Sequence, residues 1–140
     1  MTPEANVILD VGGDDKGARV LGCLCTRLKN LNYKMHLVVN PYRPETSTAE
    51  GITQLKESIE KMSGLSFNSI FYNPNFTYTT RFEDVKNAVE QYSQLFDDPL
   101  NQLAVEQRLI NENPKYFKEL EKHGVQVLSI HRAMKNPWEN

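Results

Sequence analysis

The sequence predicts an α/β fold in three layers, with a mostly parallel sheet of about four strands and helices on both faces. Short runs of apolar and β-branched residues alternate along the chain with longer segments in which apolar residues recur every three or four positions. Glycines and prolines stand between these segments. Strands that alternate with helices are joined by right-handed crossovers, so the sheet should be parallel. The 140 residues predict a single domain spanning 1–140.

The first predicted strand is Val7 to Asp10, an apolar run without alternation, which is typical of a buried parallel strand. The first half of the chain then predicts, in order, a glycine turn, a helix over 15–31, a strand over 33–39 that ends at the prolines of 40–44, and a helix to about Met62 that stops at Gly64.

The second half begins with a predicted strand over 67–72 and a loop of aromatic and hydroxyl residues that reaches Thr80. A helix with inward residues from Val85 to Phe96 should follow and break at 97–99. The pattern from Leu100 to His123 is helical, with two helices that meet near Asn113 because Pro114 interrupts them. The last predicted strand is 125–130.

Composition excludes several classes of function. A net charge of −2 provides no general field for nucleic acid or anionic lipid. The 39% hydrophobic and 24% charged residues argue against a membrane span. The N-terminus lacks the basic and apolar regions of a signal peptide, so we expect a cytoplasmic protein. Cys23 and Cys25 are one residue apart on a predicted helix, which disfavours a disulfide or a zinc site.

The run after the first strand is the first candidate site. Gly12 and Gly17 have the spacing of a phosphate loop, but Ala18 and Arg19 replace its lysine and its magnesium-binding hydroxyl. Asp10 fits better as an acid that holds Mg²⁺, with Gly12 and Gly13 letting the backbone approach a terminal phosphate. The alternative is that Asp14 or Asp15 simply caps the helix, and both interpretations can hold together.

Asn73 and Asn75 follow the strand over 67–72 at the same predicted edge of the sheet. A carboxamide offers a donor and an acceptor and can therefore read a nucleobase, although an Asx turn around Pro74 would explain the same residues. Arg43, between two prolines, could hold an anion at this edge or could be a solvated loop residue. Trp138 is a candidate docking anchor.

Taken together, these motifs resemble the C-terminal part of the MinD/ParA/CobQ-like family of P-loop nucleotide-binding proteins. The resemblance rests on 9–14 with 17–22, on 37–44, on 73–75 with 79–80 and 83–85, and on 134–138. It implies a partial P-loop NTPase-like fold, ATP or ADP with Mg²⁺ as cofactors, and often ATP-dependent dimerisation. It implies Asp10 as the metal-associated acid, Gly12 and Gly13 as switch glycines, and Asn73 or Asn75 as a contact to the base.

The sequence departs from that family because the phosphate-loop strand that should precede Asp10 is missing. Without the lysine and the loop amides, a transferring phosphoryl group has no charge stabilisation, and hydrolysis by this chain alone should be negligible. The missing strand normally lies inside the sheet, so its loss should expose a strand edge. We expect a second copy, as a homodimer, or a separately encoded N-terminal half to complete the sheet.

Three hypotheses about function follow. The first is a noncatalytic or half-site nucleotide-binding-like domain with an interaction or regulatory role. The second is an ATPase completed in trans by a partner that carries the phosphate loop. The third is a metal-dependent enzyme acting on a small molecule through the acidic cluster of 10–15. The residues supply no nucleophile and base pair that would favour another hydrolytic mechanism.

Overall fold

The computed structural model describes residues 7–96, 98–131 and 133. The described elements are the helix α1 (Asp15–Lys29), strand β1 (His36–Val39), helix α2 (Ala49–Ser63), strand β2 (Ser69–Tyr72), helix α3 (Phe82–Leu95), strand β3 (Gln102–Glu106), helices α4 (Gln107–Glu112) and α5 (Pro114–Lys122), and strand β4 (Gln126–Ile130). Single 3₁₀ turns occupy Pro44–Thr46 and Thr77–Thr79. Among the described residues, no helix is both long and apolar enough to cross a bilayer.

The four strands form one all-parallel sheet in the order β1-β2-β3-β4. The predicted α/β class, with a parallel sheet of about four strands, is confirmed. Neighbours in the sheet are also neighbours in sequence, so each pair is joined by a helical crossover. Among the described strands, this order leaves β1 and β4 at the two edges of the sheet.

The core lies on one face of the sheet, where side chains from alternate strand positions meet the helices. Val39, Tyr72 and Leu103 are fully buried there, and they pack in one cluster with residues of all the larger helices, including Ala18, Ile52, Val85 and Phe117. The other face differs, because Val38 keeps 62% and Leu128 keeps 43% of its surface exposed.

Two helices begin at side-chain caps that satisfy free backbone N–H groups. Asp14 Oδ1 accepts a hydrogen bond from Gly17 N (2.8 Å) at α1, and Thr48 Oγ1 accepts one from Gly51 N (3.1 Å) at α2. The predicted stop at Gly64 is confirmed, since this residue has the left-handed φ of 68° that glycine adopts without strain. The predicted junction of two helices at Asn113 is confirmed as well.

The predicted strand over Val7 to Asp10 is wrong. Residues 7–12 have no strand structure, and Val7, Ile8 and Leu9 are 76%, 93% and 52% exposed. The physical reason is that a strand exists only through hydrogen bonds to a neighbour, and no described strand pairs with this run or with the outer edge of β1. Asp10 therefore does not stand at the end of a strand.

The helix predicted from Leu100 onward is also wrong in its first part. Gln102–Glu106 is β3, an interior strand of the sheet, and it pairs in full register with β4. Leu103, Ala104 and Val105 are all buried, as expected for a strand with neighbours on both sides. The strand runs directly into α4 without an intervening turn, so the sequence pattern of the two together resembles that of a helix.

Candidate functional site

The loops after β1 and β2 meet at the carboxyl edge of the sheet and are joined by Asn40. Its Nδ2 donates to the Asn75 carbonyl (2.7 Å), and its Oδ1 accepts from the backbone N–H groups of Tyr42 (3.1 Å) and Asn75 (3.4 Å). The Asn40 carbonyl in turn accepts from Thr46 Oγ1 (2.6 Å). Sequence reasoning missed Asn40, although it precedes Pro41 after a strand just as Asn73 precedes Pro74.

Asn73 carries an unusual feature of this edge. Its Oδ1 is buried and has no hydrogen-bond partner among the described residues, while its backbone N–H donates to the Val39 carbonyl (2.7 Å). A buried acceptor without a donor costs free energy. Because this oxygen is itself shielded from solvent, a ligand reaches it only if the groups around it move.

Asn75 has a structural role in its own loop. Its Oδ1 accepts from Thr77 N (2.5 Å) and from Thr80 Oγ1 (3.5 Å), which is the Asx turn that the sequence offered as one alternative. The structure thus brings Asn73 and Asn75 to one edge but gives them different environments: the Asn75 side-chain oxygen accepts hydrogen bonds, and the Asn73 side-chain oxygen accepts none from the part of the chain that the structure describes.

The loop after β2 is fastened by aromatic and backbone contacts. The Phe76 ring stacks on Tyr42, with centroids 4.1 Å apart, and the Tyr42 hydroxyl donates to the Asp84 carbonyl (2.6 Å). Burial, followed by the nearby Asp84 carboxylate, raises the pKa of Tyr42 above its usual value of 10.0. The phenol therefore remains a neutral donor, and the loop remains attached to the start of α3.

Thr77 adopts a φ of 60° in this loop. A β-branched residue in the left-handed region is strained, and such strain persists only where the surroundings impose it. The hydrogen bond from Thr77 N to Asn75 and the one from Thr80 Oγ1 to the Thr77 carbonyl (2.7 Å) impose it here. The carboxyl edge therefore has a fixed backbone shape.

Arg43, the predicted anion ligand, is exposed at the start of the first 3₁₀ turn, and its backbone N–H donates to the Asn40 carbonyl (3.1 Å). It belongs to the same loop as Asn40. A second arginine, Arg108, was missed by sequence reasoning. Its Nη2 donates to the Thr80 carbonyl (2.9 Å) and contacts Glu106 (3.2 Å), which ties the start of α4 to the loop after β2.

The glycine turn before α1 is a separate part of the candidate site. Asp10, Gly12 and Gly13 are exposed, and the Asp14 carboxylate accepts the hydrogen bond from Gly17 N. Gly17 is needed because a Cβ there would overlap the Gly12 carbonyl oxygen and lie 3.0 Å from Val11 Cγ1. The carboxylate thus occupies the position at a helix N-terminus where an anion would otherwise bind.

Two shallow cavities lie at the β4 side of the molecule. One, of about 200 Å³, is lined by Tyr78, Arg108 and His131 at the carboxyl ends of β3 and β4, and the other, of about 220 Å³, lies beside α5. Both are smaller than the 300–1,000 Å³ or so typical of small-molecule sites. Across residues 7–96, 98–131 and 133, no three His, Cys, Asp or Glu side chains converge as a metal site.

Comparisons of the chain with protein-family models, with curated proteins and with solved structures gave no match.

Proposed function

We propose that this chain is a noncatalytic half-site domain of nucleotide-binding type, which acts by interaction with a partner that completes its sheet. The observation that carries the proposal is the exposure of Val7, Ile8 and Leu9, a run with the composition of a buried strand. Three consecutive exposed apolar residues are costly in water. They are expected where a neighbouring strand belongs to another chain.

The outer edge of β1 offers the pairing groups that such a partner needs. The Val39 carbonyl points toward β2 and accepts a hydrogen bond from Asn73 N (2.7 Å). Because the backbone groups of successive residues point to opposite sides of a strand, the N–H and C=O of Val38 point away from β2. No described strand pairs with these groups. A partner strand could lie between β1 and the run of 7–10 and satisfy both.

The arrangement of residues at the carboxyl edge of the sheet supports the proposed nucleotide binding. Asn73 Oδ1, which has no partner among the described residues, would accept a hydrogen bond from the exocyclic amino group of a base once the groups that bury it move aside, and the Asn40 contacts hold the loops on either side of it. The chain is proposed to be noncatalytic alone because Asp14 already caps the α1 N-terminus, where a phosphate loop would present amides to a phosphate.

Sedimentation velocity over a concentration series tests the interaction directly, with Val38→Pro and Val38→Ala as a matched pair. Proline removes the outward N–H of an edge residue, whereas alanine keeps it. We expect the wild-type chain and Val38→Ala to self-associate, or to bind a chain that carries the phosphate loop, and Val38→Pro to do neither. A wild-type chain that stays monomeric across the concentration series and also fails to bind a chain that carries the phosphate loop would contradict the proposal.

Thermal unfolding with Mg²⁺-ATP or Mg²⁺-ADP tests the nucleotide site, since a ligand bound only by the native state raises the midpoint. We expect a rise in the completed assembly that disappears in Asn73→Leu and in Asp10→Ala. If that assembly also hydrolyses ATP, the second candidate function, an ATPase completed in trans, is supported. The Asn73 acceptor, which is buried without a partner among the described residues, favours that candidate to the same degree. Hydrolysis by the isolated chain would contradict both.

A further inference from the structure

The charge of this chain is distributed unevenly along the sequence. Residues 16–43, which we term the basic segment, contain six Lys or Arg and no Asp or Glu. The rest of the chain holds the other ten Lys or Arg together with all eighteen Asp and Glu. The six cations of the segment are all exposed, and they are Lys16, Arg19, Arg27, Lys29, Lys34 and Arg43. The net charge of −2 therefore conceals a strongly positive part of the surface.

The cations of α1 lack the acidic neighbours that those of the later helices have. Each of the helices α2 to α5 contains an ion pair, namely Lys56 with Glu60, Lys86 with Glu90, Arg108 with Glu112 and Lys122 with Glu119. None of the six cations of the basic segment forms an ion pair with a described residue. Because like charges at helical spacing repel one another, this arrangement costs stability that an anionic partner would restore.

The cations of α1 lie on the side of the helix that faces solvent. Lys16, Arg19 and Arg27 are three and eight residues apart, so they share one side of α1. Another side packs closely on α2, since a Cβ at Gly22 would lie 3.0 Å from the Met62 carbonyl oxygen. The three cations are thus available to a molecule that approaches from outside.

The basic segment also contains β1, an edge of the sheet. Lys34 lies just before β1 and Arg43 lies in the loop that follows it. No described strand pairs with the outer edge of β1. A polypeptide supplies the N–H and C=O groups that such an edge pairs with, whereas nucleic acid and lipid headgroups do not. The partner that approaches this positive surface is therefore a protein.

Exposed apolar side chains on and just after α1 favour a protein partner as well. Of the candidate docking residues, Val20 and Leu31 are 59% and 64% exposed, whereas Trp138 lies outside the described residues. Interfaces between proteins combine apolar side chains with arginine, as α1 does with Arg19 and Arg27.

A second copy of the chain is a poor partner for this edge. When two copies pair about a two-fold axis, the same surface of each copy faces the other. Pairing through β1 would therefore bring two basic segments together, and their cations would repel. A different chain with Asp and Glu at the corresponding positions would be attracted instead.

We propose that the partner that completes the sheet is a different protein chain with an acidic surface, and that the basic segment selects it over a second copy. The choice of partner rests on the proposed function, since both concern the outer edge of β1. The acidic surface of the partner contacts α1 while its strand pairs with β1.

A charge-reversed copy of the chain serves as a defined acidic probe, because it keeps β1 and changes only the sign of the charge on α1. The reversed copy carries Lys16→Glu, Arg19→Glu and Arg27→Glu. The control copy carries Lys61→Glu, Lys115→Glu and Lys118→Glu, which replace exposed cations outside the basic segment. Circular dichroism checks that both copies are folded, and a copy with Lys34→Glu and Arg43→Glu replaces the reversed copy if that one fails to fold.

Sedimentation velocity of equimolar mixtures measures the association. We expect the wild-type chain to stay monomeric alone and with the control copy, and to form a heterodimer with the reversed copy. The heterodimer should weaken at least tenfold or so between about 20 mM and about 200 mM salt. Adding Val38→Pro to the reversed copy should abolish the heterodimer, which locates the contact at β1.

Self-association of the wild-type chain that Val38→Pro abolishes overturns the choice of an acidic partner but leaves the proposed function standing, because the partner is then a second copy. A mixture with the reversed copy that stays monomeric, or a heterodimer that survives Val38→Pro, overturns that choice too. So does binding of duplex DNA or of phosphatidylserine vesicles that the reversed copy loses and the control copy keeps, because the anion is then a phosphate.

Discussion

Removal of the Asn40 side chain should destabilise the fold measurably, because this residue joins the loops after β1 and β2. Asn40→Ala deletes the donor to the Asn75 carbonyl (2.7 Å) and the acceptor for Tyr42 N (3.1 Å). Both bonds are partly buried, and each is worth about 1 kcal/mol net, with an added penalty for partners left unsatisfied. The 3.4 Å contact with Asn75 N adds little. We expect a loss of about 2–3 kcal/mol.

Urea unfolding measures this loss as a lower midpoint with an unchanged slope. Asn87→Ala is the matched control, because Asn87 is exposed in the interior of α3 and alanine is the better helix former. The control should keep its stability or gain a few tenths of a kcal/mol. A loss below about 0.5 kcal/mol for Asn40→Ala would refute the view that this side chain organises the carboxyl edge.

Three further predictions concern the glycine turn, a buried phenol and an acidic helix residue. Gly17→Ala should cost about 1–3 kcal/mol in thermal unfolding, because its Cβ would overlap backbone, whereas Gly13→Ala, with nothing within 4 Å, should cost less than about 0.5 kcal/mol. Tyr72→Phe should raise stability by about 1 kcal/mol, because the hydroxyl is buried without a partner among the described residues. Glu60→Gln should make the free energy of unfolding fall less steeply as the pH is lowered. A backbone hydrogen bond from Phe67 lowers the pKa of Glu60, so its contribution is present at neutral pH and is lost as the pH falls below about 4.5.

The controls for the last two predictions come from neighbouring residues of the same type. Tyr42→Phe loses a real hydrogen bond to the Asp84 carbonyl and should destabilise the fold, opposite in sign to Tyr72→Phe. A Tyr72→Phe variant that is clearly less stable would show that the hydroxyl has a partner. Glu57→Gln, an exposed change on the same helix, should leave the loss of stability at acidic pH unchanged. If Glu60→Gln loses as much stability at acidic pH as the wild-type chain, the lowered pKa of Glu60 is not the cause of that loss.

Burial also raises the pKa of Tyr72 and Tyr92 above the usual 10.0. The native state therefore holds these protons more tightly than the unfolded chain does. Stability should be complete below about pH 10 and should fall as the pH rises above it.

The helices were largely predictable from the sequence because their apolar spacing is a local property. The stripe that begins at Ala18 and the stop at Gly64 needed no knowledge of neighbours. Strands were harder to predict than helices, because a strand forms only when another strand pairs with it. The run of Val7 to Asp10 has the right composition but pairs with no strand among the described residues, whereas β3 has two partners but merges with α4 without a glycine or proline between them.

The location of the candidate site was predicted in part, because Asp10 was expected at the end of a strand that the described residues do not form. A strand followed by a polar residue and a proline predicted the edge that carries Asn73 and Asn75. The Asx turn of Asn75 was offered by the local sequence, but no local pattern could show that the Asn73 side-chain oxygen has no partner among the described residues, since this depends on how the folded loops surround it. The left-handed φ of Thr77 could not be predicted from the sequence either, because contacts within the folded loop impose this strained backbone conformation.

Amide hydrogen exchange at β1 tests most directly whether a partner completes this sheet. In the isolated chain at low concentration, we expect the outward Val38 N–H to exchange nearly as fast as in an unfolded peptide, while the Val39 N–H, which faces β2, stays protected. Assembly should then protect the Val38 amide. Protection of Val38 at every concentration in a monomeric chain would show that its own residues cover the edge, and would contradict the proposal.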